Sequence, residues 1–273
     1  MNPYPRLVSS KHIFGLAHGA FALLVATTTS VAAPTGAIIK PFQTTVNLEG
    51  YRLVWSDEFD GRTLNTTEWH YRTDSKMNST QLPGNVSVVD GKLRLALKKE
   101  KAGDKNYTGG GVISKRHFAY GYYEARIKMP ASRGWHTSFW MAGFDDMKPG
   151  QGASGGKHEL DVCEQDSFEA TSYTHNLHMR KPVGKSLGWT RIRTPNLTTD
   201  FHVWGCEFTP EAVRYFFDGQ LVGTYDITPY EKGDVQIWLT SIAANLGNKT
   251  GDPVDRELPD YAWFDYVRFF ARK

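Results

Sequence analysis

Val213-Arg214-Tyr215-Phe216-Phe217-Asp218-Gly219-Gln220-Leu221-Val222-Gly223-Thr224-Tyr225 carries the reading of the fold. Two runs rich in β-branched and aromatic residues flank Asp-Gly, a pair that tolerates the positive φ angles of a tight hairpin turn, so the stretch predicts a β-hairpin. The same grammar repeats outward along the chain. Short alternating runs occupy 51–55, 86–89, 93–97, 121–129, 158–164, 175–179, 201–208, 235–242 and 261–270. Asp90-Gly91, Gly109-Gly110-Gly111 and Asn245-Leu246-Gly247 are read as turns between them. Ten or more short strands without a long 3.6-residue period predict an all-β sandwich or jelly roll. No repeat or internal linker interrupts residues 48–273, which read as one domain after a Pro/Thr/Ala-rich lead-in at 33–47.

Composition agrees with a packed core. Of 273 residues, 40% are hydrophobic, 13% aromatic and 22% charged, which excludes disordered, collagen-like and disulfide-scaffold chains. Residues 1–32 predict a secretory signal peptide. Arg6 and Lys11 precede an apolar run from about 13 to 26, and Thr27-Thr28-Thr29-Ser30-Val31-Ala32 supplies small residues for cleavage after Ala32. The apolar run is too short for the ~20 residues of a spanning helix, so no membrane partner is expected. Beyond residue 32 the chain carries 30 basic and 29 acidic side chains, which gives no electrostatic case for nucleic acid.

Six tripeptides, at Asn65, Asn78, Asn85, Asn106, Asn196 and Asn248, fit N-x-Ser/Thr and suggest a secreted, extracellular glycoprotein. Cys163 and Cys206 both sit in strand-like runs. A bridge between them and two buried free thiols are both open, and the pair cannot build a metal site.

His158-Glu159-Leu160-Asp161-Val162-Cys163-Glu164-Gln165-Asp166 holds the chemistry. On a regular strand Glu159 and Asp161 share one face, and Glu164 falls on the other. A β-bulge near Cys163 would restore Glu164 to the acidic face. The two Glu Cα atoms would then lie roughly 13 Å apart at ~3.3 Å per residue. An inward lean brings the carboxyls to about 5–7 Å, which overlaps both the retaining (about 5–5.5 Å) and inverting (about 6.5–9.5 Å) glycosidase separations. A solvated edge strand or a calcium site are the alternative readings of three such carboxylates. Trp135 and Trp140, in Gly134-Trp135-His136-Thr137-Ser138-Phe139-Trp140-Met141, are candidate sugar platforms. His178, on the following strand, is a further candidate for substrate contact.

With these residues in place, the chain resembles glycoside hydrolase family 16, which includes laminarinases, lichenases, agarases, porphyranases and kappa-carrageenases. Glu159-Leu160-Asp161-Val162-Cys163-Glu164 is similar to the family's bulged E-x-D-x-x-E motif. The stretches 53–61, 120–128, 201–219 and 263–268 resemble its flanking strands in order. The resemblance implies a concanavalin-like β-jelly-roll sandwich of two antiparallel sheets with an open concave cleft. It implies retaining endo-hydrolysis with Glu159 as nucleophile, Glu164 as general acid/base and Asp161 tuning the pair. It implies sugar contact by Trp135, Trp140 and His178. No cofactor is implied for catalysis; a structural calcium on the convex side would take Asp265.

The expected partner is a polysaccharide, met by a monomer, with a β-1,3- or β-1,3-1,4-glucan as first substrate. His136-Thr137-Ser138 departs from the Trp-Pro-Ala-Phe-Trp pattern of the family's glucanases, and 237–242 lacks an Asn-containing pattern, so a galactan-active hydrolase stays open. A transglycosylase and a non-catalytic lectin are the remaining alternatives.

Overall fold

The computed structural model describes residues 46–143, 156–182, 184–244 and 252–273, with the backbone of Ala37–Ile38. The expected signal peptide, nearly all of the lead-in and the turn expected at 245–247 lie outside the described residues.

Among the described residues, eighteen strands, numbered in chain order, form two large sheets. One runs β1 (Ala37–Ile38), β13 (Lys185–Arg193), β12 (Ser172–Met179), β11 (His158–Asp166), β10 (Trp135–Gly143), β17 (Gln236–Ala243), β8 (Tyr107–Ser114), β5 (Ser79–Gln81) and β4 (Ser75–Lys76). A short β3 (Trp69–Tyr71) also pairs with β8. The second runs β16 (Gln220–Asp226), β15 (Ala212–Phe217), β14 (His202–Phe208), β9 (Gly121–Lys128), β18 (Asp260–Arg272), β7 (Lys92–Leu97) and β6 (Val86–Val89). Here β2 (Tyr51–Asp57) pairs with β18. Only the short pairings β1–β13 and β5–β8 are parallel among the described strands. Among the described residues, helix is confined to two short 3₁₀ turns, Pro83–Asn85 and Asp255–Glu257. No described helix is long and apolar enough to cross a membrane.

Alternation builds the core. Trp204, Cys206 and Phe208 of β14 occupy every second position, and all three are buried against Tyr173, Leu160 and their neighbours in one apolar cluster between the sheets. Tyr173 meets Trp204 edge-on at 5.7 Å and Phe217 at 5.5 Å. The expected Asp218-Gly219 turn has φ of 46° and 76°, the two positive values a type I′ hairpin requires, and Asp90-Gly91 repeats it at 50° and 67°.

Gly109-Gly110-Gly111, read from sequence as a turn, lies inside β8 instead. Close approach explains it. A Cβ on Gly109 would meet the Ser241 carbonyl oxygen at 2.3 Å, and one on Gly111 would meet Thr240 Cγ2 at 3.0 Å. The strand β13 was not foreseen, because its mixed polar sequence lacks a clear apolar face. Cys163 and Cys206 are free thiols buried in opposite sheets, and burial pushes both thiol pKa values well up.

Two core histidines, His158 and His175, have pKa values lowered to about 4 by burial. They fold neutral and must charge in acid. Their effect on stability is therefore constant above the ordinary histidine pKa of ~6.5, and stability is lost as pH falls toward about 4. Thermal melts should show Tm falling across that window, and His175→Asn should flatten the fall. An equal slope in the variant would count against His175.

Candidate active site

The bulge expected in β11 is present. Asp161 pairs with Asn176 and Glu164 with Thr174, so Val162 and Cys163 together oppose one residue of β12. On the other side Trp140 pairs with Asp161 and Phe139 with Cys163. Leu160, Val162 and Cys163 all enter the core. Glu159, Asp161 and Glu164 consequently share the outer face of the sheet, opposite His178, Asn176 and Thr174.

Each acid has a different partner. Arg180 Nη2 donates to Glu159 Oε2 at 2.6 Å. Asp161, only 4% exposed, has its carboxyl oxygen 3.6 Å from His178 Nε2. Burial, then the neighbouring charges of Glu164 and Glu159, raise the Asp161 pKa well above its ordinary value, and Arg180 opposes them. Glu164 Oε1 lies 3.3 Å from His136 Nε2, and His136 Nδ1 lies 2.8 Å from Asp166 Oδ1.

Asn176 fixes the His178 ring. Its Oδ1 accepts from the Leu177 amide at 2.9 Å and from Ser186 Oγ at 3.2 Å, which leaves Nδ2 to donate to His178 Nε2 at 3.0 Å. In that arrangement His178 Nε2 accepts. Glu159, Asp161 and His178 offer ligand atoms within 4.8 Å of one another. Arg180 already engages Glu159 Oε2 and the Asn176 amide already engages His178 Nε2, so two of the three groups have competing partners.

The tryptophans separate. Trp140 flanks Asp161 in register and stacks on Trp238 with ring centroids 4.4 Å apart. Its Nε1 donates to Thr240 Oγ1 at 3.3 Å, and Thr240 also bonds Ser138 Oγ at 2.8 Å. Trp135 sits at odd phase with Trp140, fully buried and edge-on to Tyr107 at 6.3 Å. The expectation that Trp135 touches sugar is corrected accordingly, because strand alternation turns its ring away from the cleft face. Gly134 makes that entry possible: at φ 92° a Cβ would lie 2.4 Å from Pro253 Cα.

Asp265 is also reassigned. Arg126 Nη1 donates to its carboxylate at 2.6 Å and Lys92 Nζ lies 3.5 Å away. Two cations already compensate this carboxylate, which does not fit a calcium ligand.

Sequence reasoning missed four neighbours. Trp189 of β13 is 51% exposed, in register with Asn176, and Arg191 lies 5.5 Å from its ring. Trp238 stands in the run 235–242 that reads only as a strand, and buried Arg72 sits 5.6 Å from its ring centroid, held by Asp74 at 2.6 and 3.0 Å. His136 was read only as a departure from a motif. Its histidine-for-proline substitution beside an acidic strand was the available signal. Beside Glu164 a recess of about 270 Å³ is lined by Asp166, Glu169, Ser172, Thr174 and Arg191. Of the expected glycan acceptors, Asn85 is buried, with Nδ2 donating to the Gly109 carbonyl at 3.0 Å.

A family model described as Beta-porphyranase A-D, GH16 domain, matches residues 53–271. The chain is 29% identical over 258 residues to Beta-porphyranase E of Zobellia galactanivorans, covering 82% of this chain and 89% of that one. It is 28% identical over 191 residues to a Beta-glucanase of Rhodothermus marinus, covering 63% of this chain and 64% of the glucanase, just under two thirds of that protein's length. The solved laminarinase of Flavobacterium sp. UMI-01 has a TM-score of 0.69 and 25% identity, covering 81% of this chain and 100% of that one. Matched across nearly all of its described sheets, the chain belongs to glycoside hydrolase family 16, a family of retaining enzymes.

Proposed function

We propose that this chain is a secreted, retaining endo-hydrolase of a β-linked polysaccharide, with Glu159 as nucleophile, Glu164 as general acid/base and Asp161 as the group that tunes them. The observation that carries the reading is the bulge, which places three carboxyls on one face of one strand within an aromatic-lined cleft. Glu164 gives its proton to the glycosidic oxygen as Glu159 attacks the anomeric carbon. The glycosidic bond breaks and a glycosyl ester forms. Water then gives a proton to Glu164 and its oxygen to the anomeric carbon, releasing Glu159 and restoring the original configuration. Burial and the two flanking carboxylates push the Asp161 pKa well up, which favours its protonated form and lessens the like charge along the strand.

Two polymers have support. A galactan of the porphyran type is favoured by the family model and by the relative that this chain covers over 89% of its length. A β-glucan, for which the sequence suggests β-1,3 or β-1,3-1,4 linkage, is favoured by the glucanase relative. Secretion rests on the signal-like leader, and glycan attachment on the acceptor tripeptides other than Asn85.

Reducing-end release by the chain from residue 33 onward should appear on porphyran or on laminarin and mixed-linkage glucan. Glu159→Gln should lower it by at least about a thousandfold while the protein still binds the polymer. Full activity in that variant would remove Glu159 from the nucleophile's role. If wild-type protein transfers to an added labelled oligosaccharide in place of water, the enzyme is a transglycosylase.

Asp161 adds a pH signature. A buried carboxyl with a raised pKa favours its protonated form in the fold, so its ionisation costs stability as pH rises above the ordinary ~3.9. Asp161→Asn keeps the shape without the charge. Its Tm should exceed wild type at pH 8 and match it near pH 4. A variant less stable at pH 8 would show that Asp161 is ionised in the fold.

A further inference from the structure

His136 lies buried on β10, in register with Asp166 on one side and Ile242 on the other. Its Nδ1 meets Asp166 Oδ1 at 2.8 Å and its Nε2 meets Glu164 Oε1 at 3.3 Å. Both ring nitrogens face carboxylate oxygens, and only the doubly protonated ring donates to both. Burial alone favours the neutral ring. The hydrogen bonds and charges of Asp166 and Glu164 outweigh it and raise the pKa to about 9.

Charged groups nearby come from β11 and from the recess beside Glu164. Glu159 and Asp161 lie further along the same face of β11, and Arg191 of β13 with Glu169 lines the recess beside Glu164. From β17 the described neighbours are Thr240 and Ile242, which are uncharged. A buried ionic triad is a costly way to fill a strand position that an apolar side chain would fill, so its value is sought in the chemistry.

We propose that His136 is a positioning residue for the acid/base: anchored by Asp166, it holds one oxygen of Glu164 and stabilises the negative charge that forms there as the proton leaves. This rests on Glu164 being the acid/base. In the first step the bond from the anomeric carbon to the leaving oxygen breaks, that oxygen takes the Glu164 proton, and Glu164 becomes an anion. The His136 hydrogen bond strengthens as that charge develops. In the second step water returns a proton to Glu164. His136 keeps its own proton throughout. Its contribution is greatest where the leaving group needs protonation.

The test compares His136→Gln and Asp166→Asn with wild type on the polymer and on a 2,4-dinitrophenyl glycoside of the oligosaccharide that wild type releases. The dinitrophenolate leaves without a proton. Both variants should lose about 10- to 100-fold in kcat on the polymer with KM within about threefold. Their kcat/KM on the dinitrophenyl glycoside should stay within about threefold of wild type. Equal losses on both substrates, or no loss on the polymer, would overturn the proposal. Should His136→Gln not fold, Asp166→Asn gives the same comparison through the anchor. Glu164→Gln separates the layers. If it keeps polymer activity, the acid/base reading itself fails; if it is inactive on the polymer while the other two match wild type, only the role of His136 fails.

Discussion

Val162 and Cys163 are consecutive residues that both enter the core from one strand, and the cleft depends on that irregularity. A regular strand would bury Glu164 among Trp204 and its neighbours, where a carboxyl without a partner is costly. By absorbing one residue, the bulge trades a pair of ladder hydrogen bonds for a change of phase. Everything else about the site follows from that phase. The apolar pair anchors β11 between the sheets, and the core that accepts it is built from the aromatic strands of the second sheet.

Crowding acidic groups on one face is tolerable only because each is compensated differently. Glu159 is held by Arg180, and burial with its acidic neighbours pushes the Asp161 pKa well up. Glu164 and Asp166 share an imidazolium. Taken along the strand, an arginine, burial and a histidine anchored by Asp166 each answer one of the acids. The charge seen in the sequence is therefore larger than the charge that the face carries. Compensation by fixed neighbours also orients each carboxyl, since His136 and His178 sit on the adjacent strands and Arg180 directly follows one of them.

Much of this was legible from residues alone. Period-two runs and Asp-Gly turns gave the sandwich, and the five-residue separation of Glu159 and Glu164 required a bulge if both were to face the cleft. What stayed hidden depended on pairing across strands. Trp135 and Trp140 look equivalent until alternation is counted from the true start of β10, which places one in the core and the other at the cleft. Asp265 looks like a free carboxylate until Arg126, in a strand far away in sequence, reaches it. The glycines at 109–111 carry the same signal in a turn as in a tightly packed strand. Only the neighbour, Ser241, tells the two apart.

The row formed by Trp189, Asn176, Asp161, Trp140 and Trp238 runs across the strands. From β13 to β17 it spans four strand spacings, or ~19 Å at about 4.8 Å each. A linear polymer that rests on the exposed Trp189 at one end and on Trp140, backed by the buried Trp238, at the other must lie perpendicular to the strands. It then meets Asp161 and its flanking carboxylates partway along its length, with rings supported on both sides of the scissile bond. Cutting inside a chain rather than trimming its end would then be a property of the sheet's direction, set by which way hydrogen bonds run between strands and requiring no wall to block the cleft.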